Sequence, residues 1–343
     1  MDDNKLLEFA EEHGTPLFVV DHDVIRKNYQ RFRKALPRVK PFYAVKANSE
    51  QQIVDSLFQE GSSFDVASFG ELTIVQACLE GNEEEQRRYL GEEVIFSNTI
   101  KNYQILRALY GIKALMTYDS IDELDKILEH CSDARLVLRL TVSDAGSMVE
   151  LNSKFGVTPE EAMHYISAAR HRGLKFEGVS FHVGSQCTRT ENYVEALNTV
   201  AGIFEKAMEE GYKLKVVDIG GGFPAHYNPN VPTLEEIAEV INPVIDNLFK
   251  EDIKIIAEPG RFFVANAADL VTQIEGRRLR NGKRMYHVND GVYGTFSGVV
   301  YDHCPYHFRA LKDGKKECCT VVGPTCDGFD TISTDEQLPD LKV

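Results

Sequence analysis

A chain of 343 residues, 43% hydrophobic and 27% charged, is long enough for a large barrel with a smaller second domain. Its formal net charge of -15 argues against nucleic acid or an anionic membrane as partner, since both select a positive surface. No apolar run approaches the roughly 20 residues of a membrane span, the acidic, amphipathic start MDDNKLLEFAEEHG is neither a secretory signal nor a transit peptide, and seven cysteines with no CxxC pair speak for free thiols in a reducing cytosol rather than a zinc site.

Along the chain, TPLFVVD comes first, a β-rich stretch expected to join a later β domain. The helical pattern DHDVIRKNYQRFRKAL follows. Then come short strand-like runs, FYAVK, FDVA, VIFS, ALMTY, LVLRLTV, FEGVSFHV, KVVDIG and IKIIAE. Amphipathic stretches such as SEQQIVDSLFQEG, GELTIVQACLEG and TENYVEALNTVAGIFEKAMEEG lie between them, several closing on a glycine at the cap. Strands alternating with helices pair in parallel, and eight such units close into a (β/α)8 barrel more naturally than into an open sheet. From about residue 265 the pattern changes. VTQIEGRRLRNGKRMYHVNDGVYGTFSGVV and KKECCTVVGPTCDGFD read as short alternating strands with glycine turns and no convincing helix. The expected division is a barrel over 22–264 and a β domain made of 1–21 with 265–343.

In such a barrel, chemistry belongs at the C-terminal ends of the strands. The first run ends on Lys46. A lysine there either snorkels to solvent or serves as a covalent amine anchor. The second run gives Asp65, with Glu71 shortly after, and the fifth carries Arg139. The sixth ends HVGS, with His182 and Ser185; the seventh ends in Gly220, Gly221 and Gly222; the eighth ends in Glu258, Pro259, Gly260 and Arg261. Three glycines form a tight turn, or a nest of backbone N–H groups for an anion, with Arg261 as its charged partner. His182 is a satisfied core histidine or a flat ring that stacks on an aromatic cofactor. Glu258 either pairs with Arg261 or Arg139, or faces a protonated ring nitrogen. A lysine, a phosphate nest, a stacking ring and a carboxylate for a ring nitrogen together describe pyridoxal 5'-phosphate (PLP).

The pieces FYAVKAN, FDVAS, GEL, FSNT, LRL, SKFGV, SFHVGS, DIGGGFP, AEPGRFF, NDGVYGTF, VVYDH and GPTCDGFD resemble, in order, those of the PLP-dependent decarboxylases of basic amino acids with an alanine-racemase-like barrel, ornithine decarboxylases above all. The resemblance implies an α/β fold of PLP type III, a (β/α)8 barrel with a β-sheet or sandwich domain. It implies that Lys46 holds PLP covalently, that His182 stacks on the ring and that Glu258 keeps its nitrogen protonated. Ser185, Gly220 to Gly222 and the turn through Pro259, Gly260 and Arg261 would hold the phosphate, supported by Asp65, Glu71 and Arg139. Tyr301, Asp302 and Asp327 would face the distal amine of the substrate, and Cys326 would return a proton to its carbon. It further implies a homodimer in which Cys326 and Asp327 serve the partner's barrel, with Lys154 and Asp330 as a cross-subunit ion pair.

This chain departs from that pattern at three places. SNTIK stands where many relatives have Pro-Cys-Lys, and EGNEEEQRRYLGEE is longer and more charged than usual, reading as a solvated excursion. After QLPDLKV the resemblance leads one to expect further strands and a tyrosine against the phosphate.

Overall fold

Eight short runs dominated by Val, Ile, Leu and Phe form the parallel strands of a closed barrel: Val39–Ala44, Ser63–Val66, Val94–Phe96, Leu115–Tyr118, Arg135–Leu140, Lys175–Phe181, Val216–Asp218 and Lys254–Ala257. β-branched and aromatic side chains suit strands buried on both faces, one against the barrel interior and one against the helices. Closure is made by the first strand on the last, with Val39 opposite Ile255 and Pro41 opposite Ala257. Inside, Phe42, Ile95, Leu115, Val137, Val216 and Ile256 fill one layer, and burying each contributes roughly 1.5–3 kcal/mol. The computed structural model describes every residue except 150 and 152. The barrel expected from the eight apolar runs is the barrel found.

The helices between the strands begin and end where the sequence provides caps. Ser68, Ser120 and Thr233 each accept a hydrogen bond from the backbone N–H three residues on, at the starts of Phe69–Ala77, Ile121–His130 and Leu234–Leu248. The charged stretch expected to be a solvated excursion is largely exposed, and it is ordered as the helix Glu83–Glu93. Asn82 and Glu85 close a reciprocal capping box at its start, while Leu90 and Gly91 bury one side.

The chain divides into two units, His22–Asn266, which holds the barrel, and Met1–Asp21 together with Ala267–Val343. In the second unit, Leu17–Val20 pairs antiparallel with Ala268–Val271. A four-stranded sheet follows, in spatial order Ile274–Arg280, Lys283–Val288, Glu317–Val322 and Thr331–Leu338. Tyr286, Val288, Val292, Phe296, Cys319, Val321, Ile332 and Leu338 make its core. The amphipathic start of the chain forms the helix Asp3–His13. The stretch from about residue 265 was expected to lack helices, but after a 3-10 turn it has the four-residue helix Gly298–Tyr301, which is too short to leave a periodic apolar stripe in the sequence. Among the described residues, no helix is long and apolar enough to cross a membrane.

Candidate active site

The first barrel strand ends at Ala44, and a single 3-10 turn, Val45–Ala47, swings Lys46 over the C-terminal mouth. Its Nζ donates to Asp65 Oδ2 at 2.8 Å. Asp65 lies near the end of the next strand with 1% exposure, and Ser97, just past the third, donates to its other oxygen. Burial disfavours the Lys46 charge, but the carboxylates of Asp65, Glu258 and Glu71 outweigh it and raise its pKa. Some 53% of the side chain is still reached by solvent, so these fields act in partly screened space. Glu71 is fixed by the N–H of Ala67 at 2.9 Å and the hydroxyl of Ser68 at 3.0 Å.

His182 follows the sixth strand. The N–H of Gly184 donates to its Nδ1 at 3.0 Å, which leaves the proton of the neutral ring on Nε2. Burial, reinforced by the charges of Arg139 and Lys46, holds its pKa well below the usual histidine range. The ring is therefore a flat, uncharged surface. Arg139, on the fifth strand, is buried, and its Nε and Nη2 have no hydrogen-bond partner. The Phe155 ring lies against its guanidinium at 5.1 Å, and the Lys154 ammonium lies 4.9 Å from the same ring.

The seventh and eighth strands bring two carboxyls together. Glu258 and Asp218 are both buried, and burial first, then mutual repulsion and Asp65, pushes the Glu258 pKa well above the carboxylate range. Asp218 is likewise raised by burial, though the N–H of Gly220 at 2.9 Å offsets part of this. Two adjacent buried carboxyls cannot both ionise, so one retains a proton. Sequence reasoning passed over Asp218. Its signal was an acidic residue closing the apolar run VVD.

The glycines shape a cradle. Gly222 has φ +96, and a Cβ there would come within 2.5 Å of the Gly184 carbonyl and 3.0 Å of the Tyr193 hydroxyl. Ser185 is tied by its N–H to the Val149 carbonyl at 3.0 Å. The Pro259 carbonyl accepts from the N–H of Ala44 at 3.2 Å, locking the last strand end to the first. A Cβ on Gly260 would meet Ala47 Cβ at 2.8 Å. Arg261 Nη1 donates to the Tyr227 hydroxyl at 3.1 Å, a partner the sequence did not announce.

The remaining expected residues lie on the second unit. Tyr301, 79% exposed, ends the short helix, and the N–H of Asp302 caps it onto the Gly298 carbonyl at 3.1 Å. Cys326 is exposed. Asp327 accepts from the Tyr293 hydroxyl at 2.5 Å, and Asp330 is buried with its oxygens taken up by Val292 N and Thr325 N within its own chain.

The barrel residues fit PLP. A buried Glu258 oxygen, Oε1, and two buried guanidinium nitrogens of Arg139 are left without protein partners in one mouth. They share it with a lysine amine, an uncharged ring and a backbone that tolerates no Cβ. This fold and site define a PLP-binding barrel of the alanine-racemase type. Residues 22–265 match the family model for the pyridoxal-dependent decarboxylases, pyridoxal binding domain, and the chain belongs to this family of basic amino acid decarboxylases. It is 36% identical over 346 residues to the lysine/ornithine decarboxylase of Selenomonas ruminantium, covering 100% of this chain and 85% of that one. It is 39% identical over 354 residues to antizyme inhibitor 2 of Xenopus laevis, covering 97% and 75%. The solved lysine/ornithine decarboxylase of Vibrio vulnificus complexed with putrescine superimposes with a TM-score of 0.89 at 33% identity, over 99% and 89% of the two chains.

Proposed function

We propose that this protein decarboxylates a basic L-amino acid, with L-ornithine the first candidate, giving putrescine and CO2. The observation that carries the reading is Lys46 held against Asp65 at 2.8 Å in a mouth that also contains the buried carboxyl of Glu258. PLP, when bound, supplies an electron sink for the charge left as CO2 departs.

In this reading Lys46 is the covalent anchor, its amine oriented by Asp65, and it later helps release product. His182, held neutral, offers a stacking face that adds no charge beside the ring. Glu258 meets the ring nitrogen and keeps it protonated, since burial and then repulsion from Asp218 favour a proton held between them. Gly220 to Gly222, Ser185, Gly260 and Arg261 hold the phosphate with backbone N–H groups and one guanidinium. Asp302 and Asp327, with Tyr301, meet the distal ammonium. Two carboxylates on one cation would reject neutral side chains, which leave buried charge unpaired. The carbon–carbon bond to the carboxylate breaks, its electron pair stays on the substrate carbon, and the Cys326 thiol delivers the proton that replaces CO2. Cys326 and Asp327 serve the barrel of a second copy, so the working unit is a cytoplasmic homodimer. Lys154 and Asp330 would lie at that interface.

The likeness to antizyme inhibitor 2 favours a second reading, a regulator that has lost catalysis. The lysine, histidine, glutamate and cysteine named above speak for the enzyme. CO2 release from ornithine, lysine, arginine and diaminopimelate, with and without added PLP, decides between them. No turnover of any substrate and no absorbance band near the visible edge from a PLP–Lys46 adduct would sink the enzyme reading.

A further inference from the structure

The segment carrying Cys326 and Asp327 is a loop between two strands, Glu317–Val322 and Thr331–Leu338. Exposed loops are generally more mobile than the elements they connect. This one is held from within. The Asp330 side chain, 2% exposed, accepts from Val292 N at 2.9 Å, Thr325 N at 3.0 Å and Thr325 Oγ1 at 2.8 Å. Its backbone joins in: Gly323 N donates to the Asp330 carbonyl at 2.9 Å, and Asp330 N to the Asp327 carbonyl at 3.1 Å. A Cβ on Gly291 or on Gly323 would strike the Asp330 carboxylate, so both flanking turns are built around it. Thr325 passes the constraint on, since its Oγ1 lies 3.4 Å from Asp327 N. The Asp327 carboxylate is then aimed by two donors, Phe329 N at 3.0 Å and the Tyr293 hydroxyl at 2.5 Å.

We propose that Asp330 and Tyr293 are positioning residues that template this loop within its own chain, Asp330 by gathering Val292 and Thr325 around one buried carboxylate, Tyr293 by orienting Asp327. Cys326 is thereby presented, preformed, between two pinned neighbours. The inference rests on the proposed roles of Cys326 and Asp327, and it changes that of Asp330. A carboxylate already accepting three hydrogen bonds from its own chain is an internal anchor, whatever else it meets across an interface. Preorganisation also lowers the ordering entropy that a loose loop would lose on docking.

The test is amide hydrogen exchange on the intact protein, with the alkylation rate of Cys326 by iodoacetamide and Cys318, also exposed, as internal reference. Asp330→Asn, which keeps one accepting oxygen and turns the other into an NH2 donor, should abolish protection at Val292 or at Thr325 and change the Cys326 rate about tenfold relative to Cys318. Thr325→Val, a milder change that keeps the fold if Asp330→Asn does not, should shift the Cys326 rate in the same direction. Tyr293→Phe should leave exchange at Val292 intact and, in the active enzyme, raise KM about fivefold with kcat within about twofold, since only the aim of Asp327 is lost. Lys154→Met should leave exchange at Val292 and Thr325 unchanged. Equal loss of protection in Lys154→Met and Asp330→Asn, or unchanged protection in Asp330→Asn, would overturn the proposal. The exchange and alkylation arms read out even if no substrate is turned over, so they fail separately from the assignment of activity.

Discussion

Lys46, just past the end of one barrel strand, and Asp65, on the next, have Nζ and Oδ2 2.8 Å apart, and the other oxygen of Asp65 takes the hydroxyl of Ser97. The lysine amine is thus presented along one direction by a carboxylate that is itself fixed. This arrangement is a carboxylate–amine pair supported by a second hydrogen bond, the usual way a reactive side chain is held to a tight geometry.

Asp65→Asn removes the largest influence opposing burial at Lys46, so the lysine pKa should fall. Activity should drop by roughly 10- to 100-fold, the range typical of lost supporting partners. The check is a pH titration of the PLP–Lys46 absorbance alongside kcat, and an unchanged titration would remove Asp65 from its proposed role.

The raised carboxyls make stability fall with pH. Asp218 sits at about 7 and Glu258 well above its ordinary value, chiefly through burial, so the folded chain binds protons that the unfolded chain has already released. Their contribution is fully present below the ordinary carboxylate range and is lost as pH rises toward and through 7. Thermal melts of the PLP-free protein between pH 4.5 and 7.5 should show this decline, and Asp218→Asn should flatten it. A decline of unchanged steepness in the variant would refute the assignment.

Lys101 is fully buried, its Nζ donating to the carbonyls of Asn98 at 3.1 Å, Thr99 at 3.0 Å and Thr117 at 2.6 Å, with Glu123 3.1 Å away. Burial lowers its pKa to about 8. Lys101→Ala strands three carbonyls and removes one of the two cations beside Glu123, which keeps Lys126 Nζ at 2.6 Å and the residue 101 N–H, and should cost about 1–3 kcal/mol in chemical denaturation. Lys101→Met should recover packing but not the hydrogen bonds. A loss below about 1 kcal/mol for the alanine variant would show that water replaces the ammonium freely.

Mixing Lys46→Ala chains with Cys326→Ala chains tests the shared site. If Cys326 serves the partner's barrel, mixed dimers contain one intact site, and randomly assorted equal mixtures should recover about a quarter of wild-type activity by symmetry. Recovery indistinguishable from the two separate variants would place each site within one chain.

Much of this was legible beforehand because a buried parallel barrel writes itself as uninterrupted apolar runs. FYAVK, LVLRLTV and IKIIAE could pack only as strands covered on both faces, and the helices between them left no other way to close. The positions of Lys46, His182 and Glu258 followed directly, since each ends such a run. Asp218 was not legible, because one acid after two valines carries no sign of the glutamate it meets on the next strand. Lys101 stood in SNTIK as a mere departure from pattern, and only folding brought Glu123 and the Thr117 carbonyl around it. Glu83–Glu93 was hidden by its charge, although the capping box in NEEE was there to be read.

The sequence by itself determined the barrel, its strand order and the polar group at each strand end, because apolar periodicity and chain connectivity are local properties. Tertiary structure alone decided the electrostatics and direction of those groups: burial, then Arg139 and Lys46, lowers the His182 pKa while the Gly184 N–H takes its Nδ1, and burial, then Asp218 and Asp65, raises that of Glu258. It also decided that Asp330 faces inward. Electrostatic fields and hydrogen-bond directions depend on distances between residues far apart in the chain, and those distances exist only once the strands have closed on one another.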